Sequence, residues 1–278
     1  MGPTPHQGAY GLRLAGVESD FLLPAEPSWP VLEIVRRSGD ASHEVDELSD
    51  EHAVIVFQHG GEVRIEREPL RATFTTPREL GETELLHPFL APVAAVCSRW
   101  LGRFALHGGG LLADGAWAVL GDREGGKSSL LASLALDGYD IVSDDVLVTD
   151  GDVVFAGPRA IDLRGPAADH LATGTALGVV GARERWRHRL PAISPTSALR
   201  GWVFLSWADE IDVVRVPVAE RLSRLVASRA LISPPEPALL LRLASLPAYE
   251  LRRPAVWGSL HEATARLLEA LAASAVSG

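Results

Sequence analysis

The chain has 278 residues, a formal net charge of −10, and 47% hydrophobic against 22% charged residues. A chain of that size buries a core without covalent staples. Its acidic balance excludes a broad nucleic-acid surface, which needs a basic field to release counterions from phosphate. The one cysteine, Cys97, excludes an internal disulfide and fits a reducing cytosol.

The opening MGPTPHQGAY has neither a basic start nor an apolar run, so no secretory signal is expected. No apolar stretch reaches the roughly 20 residues that span a bilayer. A cytoplasmic protein with no membrane and no nucleic-acid partner is expected. The chain reads as three regions, 1–88, 89–216 and 217–278.

The first region is β-rich. HAVIVFQ and EVRIERE alternate apolar and polar residues around a turn at residues 59–61, and LRATFTT, residues 70–76, is a third strand. The acidic stretch 40–51 reads as a solvated loop. HPFLAPVAAVCSRWLGRF, residues 87–104, reads as a helix with Pro92 near its start and Val93, Val96, Trp100 and Leu101 at helical spacing. Cys97 lies on it as a small buried hydrophobe, with no activating partner nearby in sequence.

In the second region, LHGGGLLADGAWAVLG reads as two strands around Asp114-Gly115, a dipeptide suited to a tight turn with positive φ at both central residues. VLVTDGDVVFAG repeats the pattern around Asp150-Gly151. Between them lies GDREGGKS, which fits G-x-x-x-x-G-K-[ST] between a strand-like AWAVLG and a helix-like KSSLLASLALDG ended by Gly138. It carries Lys127, the single lysine of the chain; the other basic residues are all arginine.

A glycine loop curls its N–H groups inward as an anion nest, and the helix start adds the positive end of its dipole. A compact ammonium fits such a loop where a planar guanidinium does not. Phosphate binding is therefore expected from Gly121, Asp122, Arg123, Gly125, Gly126, Lys127, Ser128 and Ser129. Lys127 reaches over the β- and γ-phosphates, and Ser128 offers its hydroxyl to a Mg²⁺.

After the helix, residues 139–143 read as a buried strand lying beside the strand before the loop. It ends in Asp144-Asp145, at the sheet edge where ligands bind. Adjacent strand residues point to opposite sides. One aspartate would serve the metal and the other would accept a hydroxyl proton.

LHGGG, GDREGGKS and GYDIVSDD together resemble the catalytic domain of bacterial HPr serine kinase/phosphatases, over roughly residues 107–154. The interval from Ser128 to Asp145 matches that pattern. Arg123 and Glu124 stand where small residues are usual. The chain also looks like the subgroup that modifies ribosomally made peptides such as lasso peptides, through the β-rich N-terminal region, PRAIDLR and PAYELRRP.

The resemblance implies an α/β fold with a P-loop-containing core like that of phosphoenolpyruvate carboxykinase, flanked by a β-rich N-terminal region and a helical C-terminal region. It implies ATP and Mg²⁺ as cofactors, phosphorylation of a serine on a peptide or protein, and room for a homo-oligomer. It assigns phosphate binding to Lys127, metal binding to Ser128 and Asp144, and the base to Asp145, with His107 close to the reaction. No segment linked to phosphatase action is found, so that activity is not carried over.

RERWRHR places Arg183, Arg185, Arg187 and Arg189 on one strand face, either solvated or gripping an acidic peptide or the nucleotide with help from Trp186. Arg159 and Arg164 are further phosphate candidates. The function expected is an Mg-ATP-dependent serine kinase. A kinase of a small hydroxyl compound and a nucleotide-binding regulator without transfer chemistry are the alternatives.

Overall fold

The structure, a computed structural model, describes residues 6–276 except 59, 182 and 232–235. His59 of the expected turn, Ala182 and Pro234–Pro235 lie outside the described residues.

The alternating segments of the first region form β1 (Gln7–Ala9), β2 (Leu12–Ala15), β3 (Leu23–Pro24), β4 (Val31–Ser38), β5 (Glu47–Leu48), β6 (His52–Val56), β7 (Glu62–Glu66) and β8 (Arg71–Thr76). They make one sheet in the order β3-β1-β2-β4-β8-β7-β6-β5. Period-two placement puts Leu32, Ile34, Val63, Ile65, Ala72 and Phe74 on one buried face. The stretch 40–51 is mostly exposed, as expected, but Glu47 and Leu48 pair with Val54 and Ala53 as an edge strand.

The helix expected over residues 87–104 is shorter. A single turn, α1 (Glu82–Glu84), and a wide turn over Leu85–Phe89 precede α2 (Leu90–Trp100). Within the wide turn His87 is extended, with φ −154° and ψ 121°. Pro88 explains this, because its ring excludes helical geometry from the residue before it. Gly102, at φ +68°, closes the far end. Leu90, Val93, Ala94 and Cys97 of α2 pack on the buried face of the first sheet.

The middle of the chain forms β9 (Phe104–Leu112), β10 (Ala116–Gly121), α3 (Lys127–Leu136), β11 (Ile141–Ser143), β12 (Val146–Thr149), β13 (Val153–Phe155), β14 (Ala160–Leu163), α4 (Gly165–Leu171), β15 (Thr175–Val180) and β16 (Arg183–Arg189). Then come β17 (Thr196–Trp207), β18 (Asp212–Arg215), α5 (Val218–Ala227), α6 (Pro237–Ser245), β19 (Ala248–Arg253) and α7 (Leu260–Val276). The result is a mixed α/β architecture. PAYELRR, in the region expected to be helical, supplies β19, which runs parallel to β17.

Asp114 and Gly115 turn between β9 and β10 with φ +51° and +102°. At Asp150-Gly151 only Gly151 has positive φ (+103°), and Asp150 instead caps the turn by accepting the N–H groups of Asp152 and Val153. β9 pairs with β10 on one edge and with β11 and β12 on the other. β10 and β11 are thus parallel but separated by β9, not adjacent as expected. Both edges of β10 are already taken, one by its hairpin partner β9 and the other by β17. Through β13 and β17 the pairing returns to β10, so the central ladder closes on itself.

Alternation along the central strands divides the core. Trp117 and Val119 pack with α3 and α7, while Ala118 and Leu120 pack with α5 and α6. β14, β16 and β15 form a third, small sheet. Its Ile161 and Leu163 pack in one core cluster with Leu130 and Leu134 of α3.

Candidate active site

The glycine-loop candidates begin at the turn after β10. Glu124 (φ +68°) and Gly126 (φ +77°) both adopt the left-handed conformation there. At Gly126 φ favours glycine, and an added Cβ would also meet the end of the Arg253 side chain and lie 3.0 Å from the Trp207 ring. Glu124 has no such excuse in its own side chain; its carboxylate is held at 3.1 Å by Arg164.

Lys127 opens α3 and curls back over the loop. Its Nζ donates to the carbonyls of Gly121 and Asp122, each at 2.8 Å. Burial lowers its pKa, opposed by Asp144, Asp145 and Asp122. Ser128, one residue on, donates its hydroxyl to Asp144 Oδ1 at 2.9 Å.

Asp144 and Asp145 link β11 to β12. Asp144 is buried, and loss of solvent pushes its pKa up to about 6, with Asp145 adding to the rise and His87 opposing it. Asp145 has φ +71°, which breaks the strand alternation expected at this pair. Both carboxylates therefore line the same cleft, together with His107, Arg123, Gly125, Gly126, Lys127, Ser128 and Ser129. That cleft has a volume of about 820 Å³. A second cleft of about 660 Å³, which includes Gly121 and Asp122, meets the first at His107, Arg123 and Asp145.

His107 places Nδ1 3.7 Å from Asp145 Oδ1. Burial, then Lys127, lowers its pKa, with Asp145 opposing. On the other side, His87 places Nε2 3.9 Å from Asp145 Oδ2. His87 is buried, and its Nδ1 meets Asp162 Oδ2 at 2.9 Å. Asp162 is in turn gripped by Arg187 through Nε at 2.6 Å and Nη2 at 2.8 Å. Burial alone would raise the Asp162 pKa, but Arg187 and His87 hold it well below the usual carboxylate range.

His87, Asp162 and Arg187 were not singled out from sequence as one unit. Asp162 and Arg187 face each other across the β14–β16 pair, a register that no local motif encodes. Tyr10 was missed as well. It is fully buried, and its pKa is raised first by burial and then by Asp145 and Asp144.

The strand of arginines is not a uniform solvated face. Arg187 is buried on Asp162, Arg183 and Arg185 line the larger cleft, and Arg189 lies over the Phe21 ring at 5.1 Å. Trp186 points the other way, partly buried beside Gly165 and Gly174, and lines a different cleft with Thr175 and His188. Arg159 is a brace, donating to the carbonyls of Pro191, Val142 and Ile141. Arg164 stands at the cleft rim on Glu124. Cys97 is buried, and burial pushes its thiol up to about 12.

No protein-family profile and no curated protein sequence matches the chain. Among solved structures, the chain is similar to the HPr(Ser) kinase/phosphatase from Coxiella burnetii, at 12% identity and a TM-score of 0.32, over 63% of this chain and 99% of that one. A likeness that loose fixes neither family nor activity.

The donor set fits a small hard cation. Mg²⁺ takes one or two protein oxygens and fills the rest of its shell with water and phosphate oxygens. Ser128 Oγ and Asp144 Oδ1 are such a pair. Among the described residues no group of three or more His, Cys, Asp or Glu forms an all-protein metal cage. The loop, with its left-handed glycine at the start of α3 and Lys127 above it, fits a polyphosphate.

Proposed function

We propose that the chain is an Mg-ATP-dependent kinase whose acceptor is a seryl hydroxyl on a peptide or protein. The observation that carries this reading is the convergence of Lys127, Ser128, Asp144 and Asp145 on one cleft, with Ser128 and Asp144 already in contact at 2.9 Å. The finer reading, a ribosomally made precursor peptide of the lasso type, is supported only by the resemblance of the sequence to peptide-modifying kinases.

On this reading residues 121–129 cradle the triphosphate through their N–H groups and the α3 dipole. Lys127 exchanges its two backbone carbonyls for β- and γ-phosphate oxygens. Ser128 and Asp144 would hold Mg²⁺, which would supply neutralisation of the phosphate charge. The acceptor enters through the second cleft and reaches Asp145, which both clefts share. The seryl oxygen bonds to the γ-phosphorus, the bond to the β,γ-bridging oxygen breaks, ADP leaves, and the seryl proton passes to Asp145. His107 stays beside Asp145 Oδ1, with Nδ1 3.7 Å from it.

The test is mass spectrometry of serine-containing peptides and of hydroxyl metabolites after incubation with the protein, Mg²⁺ and ATP. Phosphoserine on a peptide is expected. Phosphate on metabolites alone overturns the acceptor class, and ATP binding with no phosphorylated product overturns the enzyme.

A further inference from the structure

The geometry points to His87 as a positioning residue for Asp145, so that the segment ahead of the glycine-loop core completes the active centre. This rests on the kinase reading for its catalytic consequence, but the contact itself is a property of the fold.

Four observations carry it. His87 is 5% exposed, and its Nε2 has no hydrogen-bond partner among the described residues. A buried polar atom left unpaired is costly, so its direction is informative. Here it faces Asp145 Oδ2 at 3.9 Å, a separation that closes to a hydrogen bond with a small side-chain movement. The opposite ring nitrogen is fixed on Asp162, which Arg187 holds through two contacts. Arg187 also donates to the carbonyls of Thr83 and His87, so it pins the backbone of the wide turn as well. The imidazole is thus locked in orientation from behind, as a carboxylate locks a histidine in hydrolase triads.

Asp145 needs such a lock. Its left-handed backbone is unfavourable for a residue with a side chain, and its own carboxylate is partly exposed between two open clefts. His87 on Oδ2 and His107 on Oδ1 together bracket the carboxylate, one imidazole to each oxygen. The two have pKa values shifted in opposite directions. Burial works against charge on His87, but Asp162, Asp145 and Asp144 raise its pKa, whereas that of His107 is lowered. Arg185 Nη1 also lies 3.4 Å from His87 Nδ1, so the ring is held on that side by Asp162 and Arg185 while Nε2 stays directed at Asp145 Oδ2.

The test uses the full chain with ¹⁵N-labelled histidine. Long-range ¹H–¹⁵N spectra of wild type, Asp145→Asn and Asp162→Asn are compared, with His87→Gln to assign the resonance. The His87 Nε2 resonance is expected to move in Asp145→Asn and its Nδ1 resonance in Asp162→Asn. A His87 Nε2 resonance indifferent to Asp145→Asn overturns the proposal, whatever the protein does to ATP.

In turnover assays His87→Gln is expected to lower kcat by about tenfold or more with KM for ATP unchanged, since misplacing a reacting group acts on the chemical step. Added imidazole is expected to restore part of the rate to His87→Gly, which a purely architectural role would not allow. Wild-type turnover in His87→Gln overturns the positioning role. A responsive resonance in a protein that phosphorylates nothing supports the contact and removes the kinase reading instead.

Discussion

At the scale of single residues, the proposed function assigns binding to Lys127 and chemistry to Asp145. Lys127→Ala is expected to abolish measurable ATP binding in titration calorimetry, because the loop folds over its ammonium through the carbonyls of Gly121 and Asp122. Asp145→Asn is expected to keep ATP affinity while kcat falls by about 10²–10⁴-fold, the usual contribution of a positioned base. Asp144 gives a stability signature. Its folded pKa of about 6 lies above that of an unfolded aspartate, about 3.9. The unfolded chain therefore loses this proton first as pH rises, and stability falls through that window and levels off above it. In metal-free buffer, Asp144→Asn should gain on wild type in thermal midpoint between about pH 4 and pH 7, with no further gain above. A constant difference across that range would show that Asp144 does not titrate as its burial requires. These residues were legible because they sit in contiguous motifs: one lysine after two glycines, and two aspartates at a strand end. His87 and Asp162 are 75 positions apart and meet only through tertiary contact. His107 was legible through family resemblance alone.

At the scale of elements, the hairpin at Asp114-Gly115, the loop and α3 follow from turn chemistry and periodicity, and the structure has them where local signals put them. The place of β11 does not follow from local signals. Crossover preference puts a strand beside the one it left, but strand edges are a finite resource, and those of β10 are occupied. The start of α2 shows the same limit: apolar spacing suggests a helix from residue 87, while Pro88 keeps His87 extended and so available to Asp145. The loop makes its own prediction. Gly126→Ala places a methyl group against Arg253 and Trp207 and forces a side chain into a left-handed backbone, which costs about 1–2 kcal/mol before the clash. Both thermal stability and ATP affinity are expected to drop. Adding Arg253→Ala should recover part of the stability loss but not all of it, because only the clash is relieved.

At the scale of the molecule, the core beneath the first sheet does not stop at the sheet. It takes in α2 and also Ala105, Val146, Val148 and Phe155 of the central strands. Val146 follows Asp145 directly, so packing on the first sheet bears on the placement of the carboxylate. Phe74→Ala, at a fully buried position of β8, is expected to cost about 3–5 kcal/mol in denaturant unfolding. No helix among the described residues is long and apolar enough to cross a membrane.

The junction of the two clefts at a single carboxylate has a kinetic corollary. A nucleotide seated on one side and an acceptor arriving from the other need never occupy the same space, and neither must depart for its counterpart to enter. Steady-state rates should then give intersecting, not parallel, double-reciprocal lines, the mark of a ternary complex with no phosphorylated form of the protein in between.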